Sequence, residues 1–194
     1  MFSLAELEST IPLVRESVLP TPQYAWPLLR ERIGVEVVVK HENHTPIGSF
    51  KVRGGVVLFD RLKRQRPQVR GIVTATRGNH GQSLAFAGAR AGVAVTIVVP
   101  DGNSTEKNAA MRSLGAELIE LGRDFDEARK HAAQIAAERG LKYAPSFHRD
   151  FVVGVRNLRA RAVYLGLRSR HVYVPVGLGS GICGMIGTRR NPRP

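Results

Sequence analysis

The stretch Gly71–Ala91, GIVTATRGNHGQSLAFAGARA, decides the fold because it joins a strand to a helix through one short turn. Gly71–Ala75 is an apolar run that predicts a buried strand, and Asn79–Ala91 has the small and apolar residues of a packed helix. Parallel α/β sheets bind ligands at the carboxyl ends of their strands. The turn Thr74–His80 is therefore the first place where we expect a functional site.

The same alternation continues on both sides of this unit. Further strands are predicted at Val35–Lys40, Ala94–Val99, Ala116–Leu121 and His171–Val176, and further helices from near Lys51, at Thr105–Leu114 and at Asp124–Arg139. Strands that alternate with helices of this length are typical of βαβ units, so we predict an α/β fold with a mostly parallel sheet. The loop Pro175–Gly181 follows the last predicted strand and is the second expected site.

The composition excludes several classes of protein. The chain has 194 residues, 43% of them hydrophobic, and one cysteine, which is a globular composition and not that of a collagen, a coiled coil or a disulfide scaffold. No apolar run reaches the roughly 18 residues that span a bilayer. The first ten residues carry two acids, whereas a secretory signal would be basic. We therefore expect a cytoplasmic protein with no membrane partner.

A polar loop, His41–Gly55, delivers a lysine to the start of a predicted helix. The helix dipole repels a cation at this end and lowers the pKa of the Lys51 amine, and a neutral amine is what a Schiff-base nucleophile needs. The alternative for Lys51 is an ordinary solvated surface lysine.

Two glycine-containing turns suit anions. In Thr74–Gln82, successive backbone N–H groups at a helix start can bind a carboxylate. In Val174–Gly184, VPVGLGSGICG, glycines let backbone amides close on a phosphate, and Ser180 adds a hydroxyl. Each turn on its own is equally consistent with a purely structural role.

The motifs TPIGSFKVRGG, ATRGNHGQSLAFA and VYVPVGLGSGICGMI together resemble those of the pyridoxal-phosphate-dependent serine/threonine dehydratases. The resemblance extends from Leu19 to Phe151. It resumes after residues 156–170, which form an Arg-rich segment. It implies a tryptophan-synthase-β-like fold, PLP fold type II. A small parallel-sheet domain, residues 45–145, would be inserted in a large α/β domain formed by residues 1–44 and 146–194. Because such enzymes continue well beyond the glycine-rich turn, we expect the large domain to be incomplete and the chain to be C-terminally truncated.

The same resemblance implies roles for individual residues. Lys51 would be the catalytic lysine that bonds pyridoxal 5'-phosphate and removes the substrate α-proton, with Phe50 beside the cofactor and Asn79 on its ring hydroxyl. The cofactor phosphate would be bound by Gly177, Leu178, Gly179, Ser180 and Gly181. The amino-acid substrate would be bound by Thr76, Arg77, Gly78, Asn79 and His80.

The implied reaction is β-elimination of a hydroxy amino acid such as threonine or serine, giving a 2-oxo acid and ammonia. His80 favours elimination over the β-replacement of cysteine-synthase-like enzymes, which usually have Thr at this position. Arg77 departs from the family, in which a small residue or Ser is usual at this position, and this departure disfavours racemisation. Arg77 would contact an acidic or longer substrate. Alternatively, it is a surface arginine paired with a carboxylate. The intact relatives are expected to be homo-oligomers.

The net charge of +13 is unevenly distributed. Residues 156–194 hold eight Arg and no acid, whereas residues 1–155 carry a net charge of +5. We hypothesise that residues 156–170 and 189–194 arise from frameshifts, because one inserted base converts plausible codons for an amphipathic helix into this Arg-rich run. Resequencing that returned the same bases, with relatives that carry the run, would refute the hypothesis.

Two alternatives remain at this stage. An inactive, truncated homologue would share the motifs, and a basic nucleic-acid-binding protein would explain the charge, although the Arg-rich run contains no recognised motif.

A metal site is not expected, because His41 and His44 lack further ligands in the sequence. Cys183 is expected to be a small buried residue.

Overall fold

The computed structural model describes residues 3–164 and 171–189. Its elements are α1 Leu4–Ser17, β1 Gln23–Ala25, α2 Pro27–Ile33, β2 Val38–Lys40, α3 Val52–Gln65, β3 Gly71–Ala75, α4 Asn79–Ala91, β4 Ala94–Val99, α5 Thr105–Ser113, β5 Glu117–Glu120, α6 Phe125–Arg139, β6 Lys142–Tyr143, α7 Arg149–Tyr164 and α8 Ser180–Arg189. Residues 165–170, the last part of the Arg-rich run, and residues 190–194 lie outside the described residues, as does much of the sequence that the frameshift hypothesis concerns.

Four parallel strands in the order β5-β4-β3-β6 form the main sheet. Every residue of β3 is buried, and its side chains alternate between the two faces. Ile72 packs with residues of α3 and α4, whereas Val73 and Ala75 pack against Ala128 and Ala132 of α6. The period of two therefore produces a sheet covered by helices on both sides, which is why its strands are continuously apolar.

The sequence predictions for this sheet are largely confirmed. The structure has β3, β4 and α4 with the predicted bounds, while β5, α5 and α6 differ by one residue at one or both ends. The side-chain oxygen of Ser104 caps α5 by accepting the Lys107 N–H at 3.3 Å. Helix α5 is followed by Gly115 at φ +86°, a conformation that favours glycine.

The strand predicted at His171–Val176 is wrong, because these residues have no regular structure. An extended segment becomes a strand only when a neighbour accepts and donates its backbone hydrogen bonds. The described residues provide no such neighbour, and Tyr173 is 95% exposed. Only Val38–Lys40 of the predicted Val35–Lys40 strand is formed, in an antiparallel pair with β1.

Helix α3 crosses α7 and α4 at glycines. A Cβ on Gly154 would lie 2.3 Å from the carbonyl oxygen of Arg53, and one on Gly54 would lie 2.8 Å from the Cα of Phe151. A Cβ on Gly55 would meet Ser83 of α4 at 2.4 Å. Glycine at these positions lets the helix backbones approach closely and so places the start of α3 against α4.

A buried ion pair connects the end of β2 to α3. Arg53 is 1% exposed and donates two hydrogen bonds to Glu42, at 2.8 and 3.0 Å, while the Thr21 hydroxyl donates a third at 2.5 Å. Burial raises the pKa of Glu42, but the hydrogen bonds from Arg53 and Thr21 and the charge of Lys40 outweigh it, so this pKa lies below its usual value. The pair fixes the polar loop that leads to Lys51.

Exposed large apolar side chains are concentrated in two segments of the described chain. They are Leu19, Tyr24, Trp26, Leu28, Ile33 and Val35 in the first, and Val172, Tyr173, Val176, Leu178 and Ile186 in the second. Outside these segments, Leu121 and Phe147 complete the set among the described residues. None of the helices within residues 3–164 and 171–189 combines the length and apolarity that crossing a membrane requires.

Candidate active site

Lys51 lies at the start of α3, as predicted, in a right-handed helical conformation with φ −60° and ψ −26°. The Ser83 hydroxyl of α4 donates to the Lys51 carbonyl oxygen at 2.7 Å. The Lys51 Nζ lies 5.8 Å from the centroid of the Phe50 ring. The close crossing of α3 and α4 therefore fixes the backbone from which this amine projects.

Burial lowers the pKa of the Lys51 amine. The sequence predicted the same direction from the helix dipole, and the structure adds desolvation as a cause. A charged ammonium loses hydration when it is buried without a carboxylate partner. The neutral, nucleophilic form of Lys51 is therefore more accessible than that of a solvated lysine.

The turn Thr76–His80 begins α4 directly after β3. The Thr76 N–H donates to the Val98 carbonyl at 3.1 Å, and the Gly78 N–H donates to the Thr76 hydroxyl oxygen at 3.1 Å. The N–H groups of the next three residues, from Asn79 to Gly81, have no acceptor within a helix that begins at Asn79. The turn therefore presents donors suited to an anion.

Gly78 lies against the side chain of Lys107 at this turn. A Cβ on Gly78 would lie 2.7 Å from the Cδ of Lys107, which belongs to a flexible and exposed side chain. The backbone of Gly78 has φ 167° and ψ −108°. The contact brings α5 to the turn.

His80 lies in the first turn of α4 with its Nε2 3.2 Å from the Thr74 hydroxyl oxygen and its ring edge-on to Phe151 at 5.1 Å. Burial and the charge of Lys51 lower the pKa of His80 to about 3. The imidazole is therefore neutral near pH 7.

The glycine loop, Gly177–Gly181, leads into α8, which begins at Ser180. Ser180 is buried and Gly179 has φ +98°. A Cβ on Gly177 or Gly179 would meet no atom within 4 Å, so the loop borders open space, whereas a Cβ on Gly181 would lie 3.1 Å from the Cζ of Phe50. The Phe50 ring thus connects the glycine loop to the lysine segment.

The fold brings most of the predicted site residues together. Phe50 and Lys51 lie beside the glycine loop, and the charge of Lys51 reaches His80 of the turn. Arg77 and Asn79 are exposed at the turn, and Leu178 is exposed on the loop. No ion pair within the described residues involves Arg77.

Sequence reasoning missed Ser83 and Lys107, and it included Thr74 in the first expected site without giving it a role. Ser83 lies four residues after Asn79 on α4 and therefore on the same helix face, which is a signal that the sequence contained. The contacts of Thr74 with His80 and of Lys107 with Gly78 carry no such signal. Cys183 is exposed, which contradicts the expectation that it is buried. Gly181 lies against Phe50 and Val174, and a residue two positions later on α8 projects from nearly the opposite side of the helix.

Two other features of the surface lie apart from these residues. A cleft of about 510 Å³ is lined by residues 25–27, 30, 31, 34, 36 and 37, none of which is a predicted site residue. The His41 and His44 rings lie 5.6 Å apart, and within residues 3–164 and 171–189 no group of three His, Cys, Asp or Glu could hold a metal ion.

Comparison with known proteins agrees with this arrangement. Residues 14–192 match the family model described as pyridoxal-phosphate dependent enzyme. The chain is 35% identical over 158 residues to threonine dehydratase 2 of Solanum lycopersicum, covering 81% of this chain and 26% of the relative. It is 32% identical over 173 residues to the biosynthetic L-threonine dehydratase of Escherichia coli strain K12, covering 89% and 34%. It therefore spans about a third of the length of these curated relatives.

Solved structures show the same fold. A pyridoxal 5'-phosphate-dependent aspartate racemase superposes with a TM-score of 0.92 at 27% identity, covering 97% of this chain and 59% of that one. The processed threonine deaminase isoform 2 of Solanum lycopersicum superposes with a TM-score of 0.80 at 31% identity, covering 94% and 55%. The chain belongs to the family of pyridoxal-phosphate dependent enzymes and has their type II, tryptophan-synthase-β-like fold.

Proposed function

We propose that this chain carries the catalytic lysine and the cofactor-binding loops of an enzyme that eliminates water from a hydroxy amino acid such as threonine or serine. The observation that carries the proposal is the partly buried Lys51 amine, whose pKa is lowered by desolvation, next to Phe50, whose ring lies against the glycine loop. The named threonine dehydratase relatives support the choice of reaction.

The residues present fit pyridoxal phosphate. Lys51 offers a primary amine for the aldehyde, and the glycine loop offers open space and the N–H groups of a helix start for the phosphate. The Phe50 ring lies between Lys51 and the glycine loop. Asn79, which is exposed at the start of α4, would hydrogen-bond the ring hydroxyl, as the resemblance to the family implies.

When bound, pyridoxal phosphate withdraws electrons from the Cα of an amino-acid substrate. The N–H groups of Asn79 and His80, which have no acceptor within α4, would bind and orient the substrate carboxylate. The Nζ of Lys51 would take the α-proton, and the β-hydroxyl would take up one proton and leave as water, so that the step neither gains nor loses a proton. The released enamine takes up water to give the 2-oxo acid and ammonia, so water is conserved overall.

We also propose that residues 45–145 act as a small domain inserted between residues 1–44 and 146–194.

A second candidate function is that of a homologue that binds the cofactor but does not turn over a substrate. The chain covers 26% and 34% of the two threonine dehydratases above, so turnover is a proposal for this chain that needs its own test.

The test is cofactor binding followed by product release. We expect added pyridoxal phosphate to give the visible absorbance band of a lysine-linked cofactor. Borohydride reduction and peptide mapping should place the label on Lys51. Lys51→Ala should lose the band, while Lys63→Ala, at an exposed lysine of the same helix, should keep it. Labelling distributed over surface lysines would refute the proposal.

Release of a 2-oxo acid from threonine or serine then distinguishes the two candidates. Turnover by the wild type that is lost in Lys51→Ala supports the dehydratase. A normal cofactor band with no product supports the second candidate and overturns the elimination activity.

A further inference from the structure

Ser83 of α4 directs its hydroxyl at the backbone of Lys51. The residue is 2% exposed, and its hydroxyl donates to the Lys51 carbonyl oxygen at 2.7 Å, an ordinary length for a hydrogen bond between two oxygens. A serine within a helix commonly donates to a carbonyl of its own helix, whereas this hydroxyl donates to another one. The bond therefore connects α4 to the start of α3.

The hydrogen bonds that Lys51 forms within its own segment are mostly long. Its N–H donates to the Ser49 hydroxyl oxygen at 3.4 Å, and its carbonyl oxygen accepts the N–H groups of Gly54 and Gly55 at 3.1 and 3.3 Å. Two of these distances exceed the usual range for an N–H donor, and glycine is a poor helix former. The first turn of α3 is therefore weakly held by local bonds, and the bond from Ser83 supports it.

Gly55 leaves the room for this contact. A Cβ on Gly55 would lie 2.7 Å from the carbonyl oxygen of Ser83 and closer still to its hydroxyl oxygen. The side-chain-free face of α3 thus lies directly on Ser83 and limits the access of water. Removing the hydroxyl would leave the Lys51 carbonyl without the partner that α4 provides.

The same bond relates two residues of the proposed cofactor site. Ser83 lies four residues after Asn79 and therefore on the same face of α4. In the proposed function, Lys51 takes the aldehyde of pyridoxal phosphate and Asn79 takes the ring hydroxyl. These groups are neighbouring substituents of one rigid ring, so the Lys51 amine and Asn79 must keep a fixed separation. A hydrogen bond between α3 and α4 at Ser83 restrains that separation.

We propose that Ser83 is a positioning residue for the covalent bond between Lys51 and the cofactor, and that it acts through the Lys51 carbonyl. The inference rests on the proposed function, because it requires Lys51 to be the lysine that reacts. In that reaction the Lys51 Nζ forms a double bond to the aldehyde carbon, and the aldehyde oxygen leaves as water with two hydrogens from the amine. Without the hydroxyl, the amine occupies a wider range of positions and the bond forms less favourably.

The experiment compares two ligands by calorimetric titration. One is pyridoxal phosphate, and the other is its deoxy analogue, in which a methyl group replaces the aldehyde, so that it cannot react with an amine. In Ser83→Ala the apparent Kd for pyridoxal phosphate should rise roughly 5- to 10-fold, as for loss of one net hydrogen bond. The Kd for the analogue should change by less than about twofold, because its contacts do not include a bond to Lys51.

Thr96→Val is the matched control. The Thr96 hydroxyl is also buried, at 4% exposed, and donates at 2.7 Å to Glu117 on the neighbouring strand. Its loss removes one buried hydrogen bond that does not involve α3. We expect Thr96→Val and Ser83→Ala to lower the Tm by similar amounts, while Thr96→Val keeps the wild-type affinity for both ligands.

Ser83→Cys fills the space of the serine with a weak donor. It should weaken the binding of pyridoxal phosphate as Ser83→Ala does, and it carries the comparison if the alanine variant does not fold. Wild-type affinity for pyridoxal phosphate in either variant would show that the hydroxyl is not needed.

Equal weakening of both ligands in the two Ser83 variants would show a general structural effect. Either of these results overturns the role of Ser83 while leaving the proposed function intact. If the wild type forms no visible cofactor band at Lys51, the proposed function falls, and this inference falls with it.

Discussion

The hydroxyl oxygen of Thr74 lies 3.2 Å from the Nε2 of His80 and 2.8 Å from the carbonyl oxygen of Ala144. A carbonyl only accepts, so the Thr74 hydroxyl donates to Ala144 and the Nε2–H of His80 donates to Thr74. This chain of hydrogen bonds fixes the neutral imidazole with its proton on Nε2. It links the end of β3 to the segment that follows β6 and orients the ring beside Lys51.

His80 makes folding stability depend on pH. Its pKa is lowered from 6.5 to about 3 in the folded protein, so the unfolded chain binds the proton more readily between these values. The contribution is present above pH 6.5 and is lost as the pH falls toward 3. Between pH 7 and pH 5 we expect the free energy of unfolding to fall by up to about 2 kcal/mol from this group.

Urea denaturation of the wild type and of His80→Asn at both pH values measures this effect. The variant should be less stable at pH 7 but should show the smaller decrease between the two pH values. His131→Asn, on α6, is the control and should behave like the wild type. An unchanged pH dependence in His80→Asn would show that His80 is solvated in solution.

Replacing Glu42 should destabilise the protein through Arg53. The guanidinium is 1% exposed, and without Glu42 it is a buried charge with no carboxylate beside it. We expect Glu42→Leu to lower the free energy of unfolding by about 3–5 kcal/mol. The double variant Glu42→Leu/Arg53→Met should recover much of this loss, because it removes both charges. Additive effects in the double-mutant cycle would contradict the pairing.

Alanine at Gly154 should separate α7 from α3. Its Cβ would lie 2.3 Å from the backbone oxygen of Arg53, and a backbone atom cannot move aside as a flexible side chain can. Helix propensity alone would stabilise a Gly→Ala change by about 1 kcal/mol. We expect instead a net destabilisation of at least about 2 kcal/mol, measured by urea denaturation. Ala109→Gly, at an exposed position of α5, calibrates the propensity term.

The exposed apolar side chains should bind a fluorescent apolar dye. Leu19, Leu28 and Tyr173 are 78%, 79% and 95% exposed, and polar residues there remove apolar surface without creating cavities. The triple variant with serine at these positions should reduce dye fluorescence at unchanged Tm. Leu121→Ser, at a position outside the two segments and 39% exposed, should have a smaller effect. Equal dye binding by the triple variant and the wild type would refute this prediction.

The sequence by itself determined the unit from β3 to α4, the parallel character of the sheet and the lysine at the start of α3. These features follow from local periodicity, from turn residues and, for the family, from motifs whose members lie close together in the chain. Periodicity is decided within a few residues, so Gly71–Ala75 and Ala94–Val99 were predicted with their observed bounds.

The tertiary structure alone decided what each site residue faces. Burial, which lowers the pKa of Lys51, depends on helices packed around it, and the contact of Lys107 with Gly78 joins residues from two different βα units. His171–Val176 has the composition of a strand but lacks a neighbouring strand among the described residues. Pairing, desolvation and charge proximity are properties of distance in space, which sequence order does not specify.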